Sequence, residues 1–181
     1  MSSHPSHLFL CGFRGTGKSS VAEILAGRLG RPRVDLDERI RERTGRTIAD
    51  IFREGGEPQF RHWEAIVLAE IVREASSVVA LGGGTILTPE NRQRIRESGV
   101  CFWLDADAET LAARIAADAV TATQRPPLTS LPAADEVRVL LARREPHYKD
   151  AADHRIDTRG KTLSRIADDI LEIVAAGPEA R

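Results

Sequence analysis

One stretch near the start of the chain constrains its fold more than any other. Residues 8–25 read LFLCGFRGTGKSSVAEIL, an apolar run broken by glycines and resumed as an amphipathic pattern. Gly12, Gly17, Lys18 and Ser19 fit the spacing G-x-x-x-x-G-K-[ST], with the strand before and the helix after that such a loop needs. Glycines let the loop curl so that successive backbone N–H groups point inward at an anion. The positive end of the following helix faces the same point. Gly15, Thr16, Gly17, Lys18, Ser19 and Ser20 are therefore expected to cradle the phosphates of a nucleoside triphosphate. Within that cradle Lys18 bridges the outer phosphates, and the Ser19 hydroxyl takes one position on Mg2+.

Around the loop, short apolar runs alternate with longer amphipathic ones. Residues 8–11, 33–35, 78–81, 100–104 and 155–157 read as strands, and the first, third and fourth are apolar almost throughout, as in a parallel sheet covered on both faces. Helical spacing runs through residues 19–29 (Val21, Ile24, Leu25, Leu29) and 60–73 (Ile66, Val67, Ala69, Ile71, Val72). Thr47 with Asp50 marks a capping-box start, Thr88 before Pro89 an N-cap with proline at the first helical position, and Asp107 a third cap. The alternation predicts a three-layer α/β fold with a mainly parallel five-stranded sheet. Residues 1–181 are expected to form a single domain. Residues 116–135, AADAVTATQRPPLTSLPAAD, show little periodicity and read as a mobile lid.

Composition narrows the partners. With 26 basic and 27 acidic residues the formal charge is -1, which gives no bulk electrostatic case for nucleic acid or an acidic membrane. No apolar run reaches the ~20 residues of a membrane span, and the start lacks the pattern of a signal peptide. A cytoplasmic monomer is expected. Cys11 and Cys101 fall in apolar strand-like runs and read as small core residues in a reducing compartment. Triphosphate loops occur in switches, motors and small-molecule kinases; the chain has little room for an effector domain and no N-K-x-D-type guanine-reading segment.

Charged residues elsewhere suggest what faces the phosphates. In VDLD, residues 34–37, two carboxylates stand where a strand runs out. Ligands of open α/β sheets gather beyond the carboxyl ends of the strands. Asp35 is expected beside the loop, holding the hydration shell of the metal. Asp37 has two readings: an acceptor that orients an attacking hydroxyl and takes its proton, or merely a helix cap. In EGGEPQFRHWE, glycines and a proline suggest a turn feeding a helix that carries Arg61. Gly82, Gly83 and Gly84 follow an apolar strand and suit close approach of backbone to a ligand. Arg125, in the lid, and Arg144, near a helix end, each have two readings: Arg125 to neutralise charge on a transferred phosphoryl group and Arg144 to clamp a carboxylate, or either as an ordinary surface residue.

In order and spacing, GFRGTGKSS, DLDERIRERTGRTIADIF, GEPQFRHWE, LGGGTI, RPPL and RREPHY resemble the shikimate kinase family over residues 7–175. The resemblance implies a P-loop kinase fold and transfer of the γ-phosphate of ATP to the 3-hydroxyl of shikimate, with Mg2+, on the route to aromatic amino acids. It implies Lys18, Asp37 and Arg125 as catalytic residues, with Asp37 orienting the attacking hydroxyl and Arg125 closing on the nucleotide phosphates. Arg61 and Arg144 would bind the shikimate carboxylate, and Gly82, Gly83 and Gly84 would offer it backbone amides. Ser19 and Asp35 would serve the magnesium, and residues 37–65 would form the substrate-binding helical segment. Some residues depart from the family pattern. Ser20 replaces a usual threonine, RPPL stands for RPLL, and Thr85 stands where a smaller residue is common and could narrow the pocket. Adenine contacts near Arg159 and Lys161 are loosely specified. Two alternatives stay open: a kinase of another small polyol acid, resembling gluconate kinase, and a nucleotide-binding regulatory homologue without catalysis.

Overall fold

The computed structural model describes residues 7–117 and 132–177. Among these, five strands form one sheet: β1 (His7–Cys11), β2 (Arg33–Asp35), β3 (Val78–Ala80), β4 (Gly99–Asp105) and β5 (His154–Asp157). The order is β2-β3-β1-β4-β5, and every pairing is parallel, with Phe9 opposite both Val79 and Cys101. The sheet is thus wholly rather than mainly parallel. Its strands lie within two residues of the expected positions.

Side-chain alternation along the strands builds two cores. Leu8, Leu10, Val78, Ala80, Phe102, Leu104 and Ile156 point to one face, where α1 (Lys18–Leu29) and α7 (Leu163–Ala176) contribute Val21, Leu25, Ile166 and Ile170. Phe9, Cys11, Val34, Val79, Leu81, Cys101 and Trp103 point to the other. That face is covered by α2 (Leu36–Thr44), α3 (Ile48–Ile71), α4 (Pro89–Ser98) and α6 (Ala133–Ala151), through Ile40, Ile51, Leu68, Ile95 and Tyr148. With both faces dry, the strands need no polar alternation, which is why they read as continuous apolar runs. Cys11 and Cys101 are free thiols within the second core. α5 (Ala108–Ala117) packs on α6 through Leu111, Val137 and Leu140.

The strand order reverses at β1: the chain leaves it for the edge strand β2, returns through β3 and continues on the other side through β4 and β5. That reversal opens a crevice above the carboxyl end of β1. Four local expectations change in detail. α3 is interrupted at Gly56 (φ 67, ψ -167), so the turn read in EGGEP is a break between two helical segments. α6 runs on through Pro146 to Ala151, which puts Arg144 well inside a helix rather than near its end. Thr88 precedes α4 but makes no side-chain cap bond. Residues 116–117 and 133–135 of the expected lid are helical and Pro132 precedes the second helix, while residues 118–131, Arg125 included, lie outside the described residues.

Candidate active site

The loop after β1 has the geometry its glycines predict. Gly12 takes φ 142, and a Cβ there would strike the Leu104 carbonyl. Gly17 (φ 88) leads into α1, whose first turn carries no acidic side chain and no side-chain cap. The positive end of the helix is therefore left to an anion. Lys18 Nζ folds over the loop and donates to the carbonyls of Gly12 and Phe13, both at 2.9 Å. Thr16, buried, donates to the Phe13 carbonyl at 2.8 Å, so it shapes the loop from inside. Ser20 is exposed beside Ser19.

β3 separates β2 from β1, yet Asp35 still reaches the loop: the Ser19 hydroxyl donates to its Oδ2 at 2.6 Å. Its Oδ1 accepts from the backbone N–H of Asp37 (3.0 Å) and Glu38 (3.2 Å), making Asp35 the N-cap of α2. The cap reading of Asp37 therefore falls, because the neighbouring carboxylate holds that position. Asp37 sits in the first turn of α2, 9% exposed, and faces the crevice.

That crevice is a cleft enclosing about 550 Å³ of space that is continuous with open solvent. Asp37, Arg61, Arg144, Gly83 and Gly84 line it beside Phe13 and Arg14 of the phosphate loop, with Ile48, Phe52 and Phe60 forming an apolar wall. Arg61 is clamped on its own helix. Its Nε and Nη2 donate to Glu57 at 3.1 and 2.9 Å, and its Nη1 donates to Glu64. Burial pulls the Arg61 guanidinium toward neutrality, but Glu64 and Glu57 outweigh it and hold its pKa above the ordinary value. Glu64 is fully buried, and burial raises its pKa despite Arg61 and a hydrogen bond from Thr85. Arg144 Nη1 donates to the Gly83 carbonyl at 3.4 Å, and its guanidinium carbon lies 5.5 Å from the centre of the Phe13 ring. One helical turn later, the fully buried Tyr148 hydroxyl donates to the same carbonyl at 2.6 Å; burial pushes its pKa up, so it stays a donor.

The three glycines differ in what they exclude. A Cβ at Gly82 would lie 2.6 Å from Glu64 Oε1 and 3.0 Å from both Asp37 Oδ1 and Thr85 Oγ1. At Gly84 it would lie 2.6 Å from Arg61 Cζ. At Gly83 the nearest atoms stand at an ordinary 3.7 Å, so protein packing alone does not demand glycine there. Thr85 does not line the cleft: it is fully buried and turned toward Glu64. The expected narrowing of the pocket is absent.

The sequence reading missed Glu64, Tyr148, Arg14 and Arg114. Glu64 and Tyr148 were within reach, since they lie three and four residues beyond Arg61 and Arg144 on the same helical faces. Arg14 pairs with the buried Glu136 of α6 at 2.9 Å. Arg114 donates to the Gly15 carbonyl (3.4 Å), to Thr158 Oγ1 (3.0 Å) and to the Thr158 carbonyl (2.9 Å), tethering the phosphate loop to the turn after β5. Nothing local in the sequence marks either residue. In that turn Arg159 pairs with Asp157 (2.6 Å), and Lys161 pairs with Asp169 of α7 (2.8 Å).

Residues 14–175 match the family model described as shikimate kinase. The chain is 46% identical over 168 residues to a shikimate kinase of Rhodopirellula baltica, covering 93% of this chain and 90% of that one. It superposes on the shikimate kinase of Acinetobacter baumannii, solved in complex with shikimate, with a TM-score of 0.89 at 31% identity, covering 97% and 96% of the two chains. A gluconokinase from Sinorhizobium meliloti, at TM-score 0.61 and 18% identity over 97% of this chain and 94% of its own, shares the fold alone.

Proposed function

The chain belongs to the shikimate kinase family, whose members are ATP-dependent kinases, and from that premise we propose that it moves the γ-phosphate of ATP to the 3-hydroxyl of shikimate in the cleft beside the phosphate loop. One observation carries the reading: Asp37, Arg61 and Arg144, drawn from three separate helices, face one cleft that abuts Phe13 and Arg14 of the loop. Shikimate is a small carboxylic acid with several hydroxyls. Two guanidiniums suit its acid group, and a carboxylate suits its alcohols.

In this reading the loop amides and Lys18 hold the triphosphate, and the start of α1 faces its charge. Arg61 and Arg144 grip the carboxylate of the acceptor, fixing its distance from the loop. Asp37 accepts a hydrogen bond from the attacking hydroxyl and takes its proton as the bond to phosphorus forms. The Gly83 and Gly84 backbone lets the ring settle close, held by Tyr148 and Arg144 through the Gly83 carbonyl. Arg125, outside the described residues, keeps the role its motif implies, neutralising charge on the transferred group. We read the protein as a cytoplasmic monomer in which a single domain carries both sites.

The Ser19 hydroxyl and the Asp35 carboxylate meet at 2.6 Å at the mouth of the loop. They are the hard oxygen donors that suit Mg2+: the Ser19 hydroxyl would take one position on the ion, and Asp35 would hold its hydration shell. The bound ion would offset the negative charge of the outer phosphates.

Phosphate transfer from ATP, measured against shikimate, quinate, gluconate and other small hydroxy acids, tests the proposal. Shikimate should be preferred by orders of magnitude. Turnover with shikimate no faster than ATP hydrolysis in water would overturn it, and preference for gluconate would move the chain to the alternative kinase reading.

A further inference from the structure

The sequence placed Thr85 at the wall of the pocket; the structure turns it the other way. Thr85 follows Gly84 in a short 3-10 turn (Thr85–Leu87), is fully buried, and donates its hydroxyl to Glu64 Oε1 at 2.6 Å. Its own carbonyl is held by Asn91 Nδ2 at 2.9 Å, which fixes the residue from the α4 side. Glu64 Oε2 takes the Arg61 Nη1 hydrogen. The chain of contacts therefore runs from Asn91 through Thr85 and Glu64 to the guanidinium that faces the cleft.

A guanidinium has five N–H donors. Three of those of Arg61 go to Glu57 and Glu64, which leaves one on each terminal nitrogen for a ligand. That presentation holds only while the Glu64 carboxylate keeps its rotamer and its charge. Glu64 has no access to water, so a lost donor cannot be replaced by solvent. Its other charged neighbours are Arg144 on α6 and Asp37 on α2, whose Oδ1 shares with Glu64 Oε1 the space a Gly82 Cβ would take. Glu64 thus lies between two cations and a second carboxylate, and the Thr85 hydroxyl is its neutral hydrogen-bond donor.

We propose that Thr85 is a positioning residue for the acceptor substrate: its hydroxyl holds Glu64 so that Arg61 presents its two remaining donors to the carboxylate of shikimate. The inference rests on the proposed function and deepens it. Valine has the shape of threonine without the hydroxyl. In Thr85→Val the Glu64 carboxylate either rotates or takes a proton, and in both cases Arg61 loses its inner anchor.

Calorimetric titration with shikimate, and separately with ATP, tests this on the parent protein, Thr85→Val and Thr85→Ser. Thr85→Val should weaken shikimate binding about tenfold, the worth of one hydrogen bond to a charged group, and leave ATP binding within about twofold. Thr85→Ser, which restores the hydroxyl, should recover most of the loss. Glu64 without its donor holds a proton to higher pH, so the acid-side fall of shikimate affinity should move upward in pH in the valine variant alone. If valine does not pack, Thr85→Ala carries the same comparison. Equal shikimate affinity in the hydroxyl-free variant and the parent overturns the proposal, as does serine failing where valine fails, or ATP affinity falling in step. A parent protein that binds ATP but not shikimate overturns the proposed function and this inference with it.

Discussion

Gly84→Ala is a steric probe of the proposed acceptor site that substitutes no charged residue. Gly84 has φ -120 and ψ 2, a backbone conformation open to alanine, so the substitution adds only a methyl group. That methyl would stand 2.5 Å from Arg61 Nη1 and 2.6 Å from Cζ. Ordinary contact begins near ~3.5 Å, so the guanidinium must retreat by about 1 Å. A charge-assisted hydrogen bond near ~2.9 Å does not survive a displacement of that size. Losing one such bond to the ligand costs about 1.5–3 kcal/mol, or roughly 10- to 150-fold in affinity at ~1.4 kcal/mol per factor of ten. Calorimetry on the purified variant should show shikimate binding weakened by that factor, with ATP binding within about twofold of the parent, because the three atoms nearest the new methyl all belong to Arg61. Unchanged shikimate affinity would refute the assignment of Arg61 to the substrate carboxylate. Equal loss for both ligands would show a general disturbance instead.

Asp37→Asn should keep the fold, since Asp35 and not Asp37 caps α2, and should lower turnover by about two to four powers of ten, the span of a positioned base; steady-state kinetics with circular dichroism as control checks it, and full activity would refute it. Tyr148→Phe removes the 2.6 Å bond to the Gly83 carbonyl and should cost about 1–3 kcal/mol in denaturant unfolding while raising the shikimate KM more than the ATP KM; a variant as stable as the parent would sink the anchoring role. His7 is buried, and its Nδ1 accepts from the Ser77 backbone N–H at 3.3 Å, a bond only the unprotonated nitrogen can make. Burial depresses its pKa below the ordinary 6.5, so the unfolded chain binds a proton that the folded one refuses. The stability this gives is full above about pH 6.5 and lost as pH falls through the depressed value. Denaturation midpoints should therefore drop between about pH 7.5 and pH 5, and a His7→Leu variant showing the same drop would refute the assignment.

The fold was legible wherever local pattern and tertiary burden agree. β1 and β4 are dry on both faces, so their apolar runs announce them. Thr47 and Asp107 cap as expected, accepting from the backbone N–H of Asp50 at 3.1 Å and Thr110 at 2.7 Å. The site residues on motifs were legible as residue types. What each one does was less so, because that depends on groups distant in sequence. VDLD offers two carboxylates for one helix start, and the start of α2 at Leu36 gives Asp35 the cap and leaves Asp37 in the first turn. Glu64 and Thr85 look like surface and turn residues until burial brings them together. The helix carrying Arg144 continues past Pro146, against the propensity of proline, because packed residues such as Tyr148 and Ala151 hold its last turns to the sheet.

Asp35 serves two masters with its two oxygens, the amide start of α2 on one side and the hydroxyl of Ser19 on the other. The helix so anchored is the one that carries Asp37. A substitution at Asp35 would therefore loosen the helix that carries Asp37 at the same moment as it strips the phosphate loop of an oxygen. Its phenotype would belong to neither half of the enzyme alone, but to the hinge pin between them.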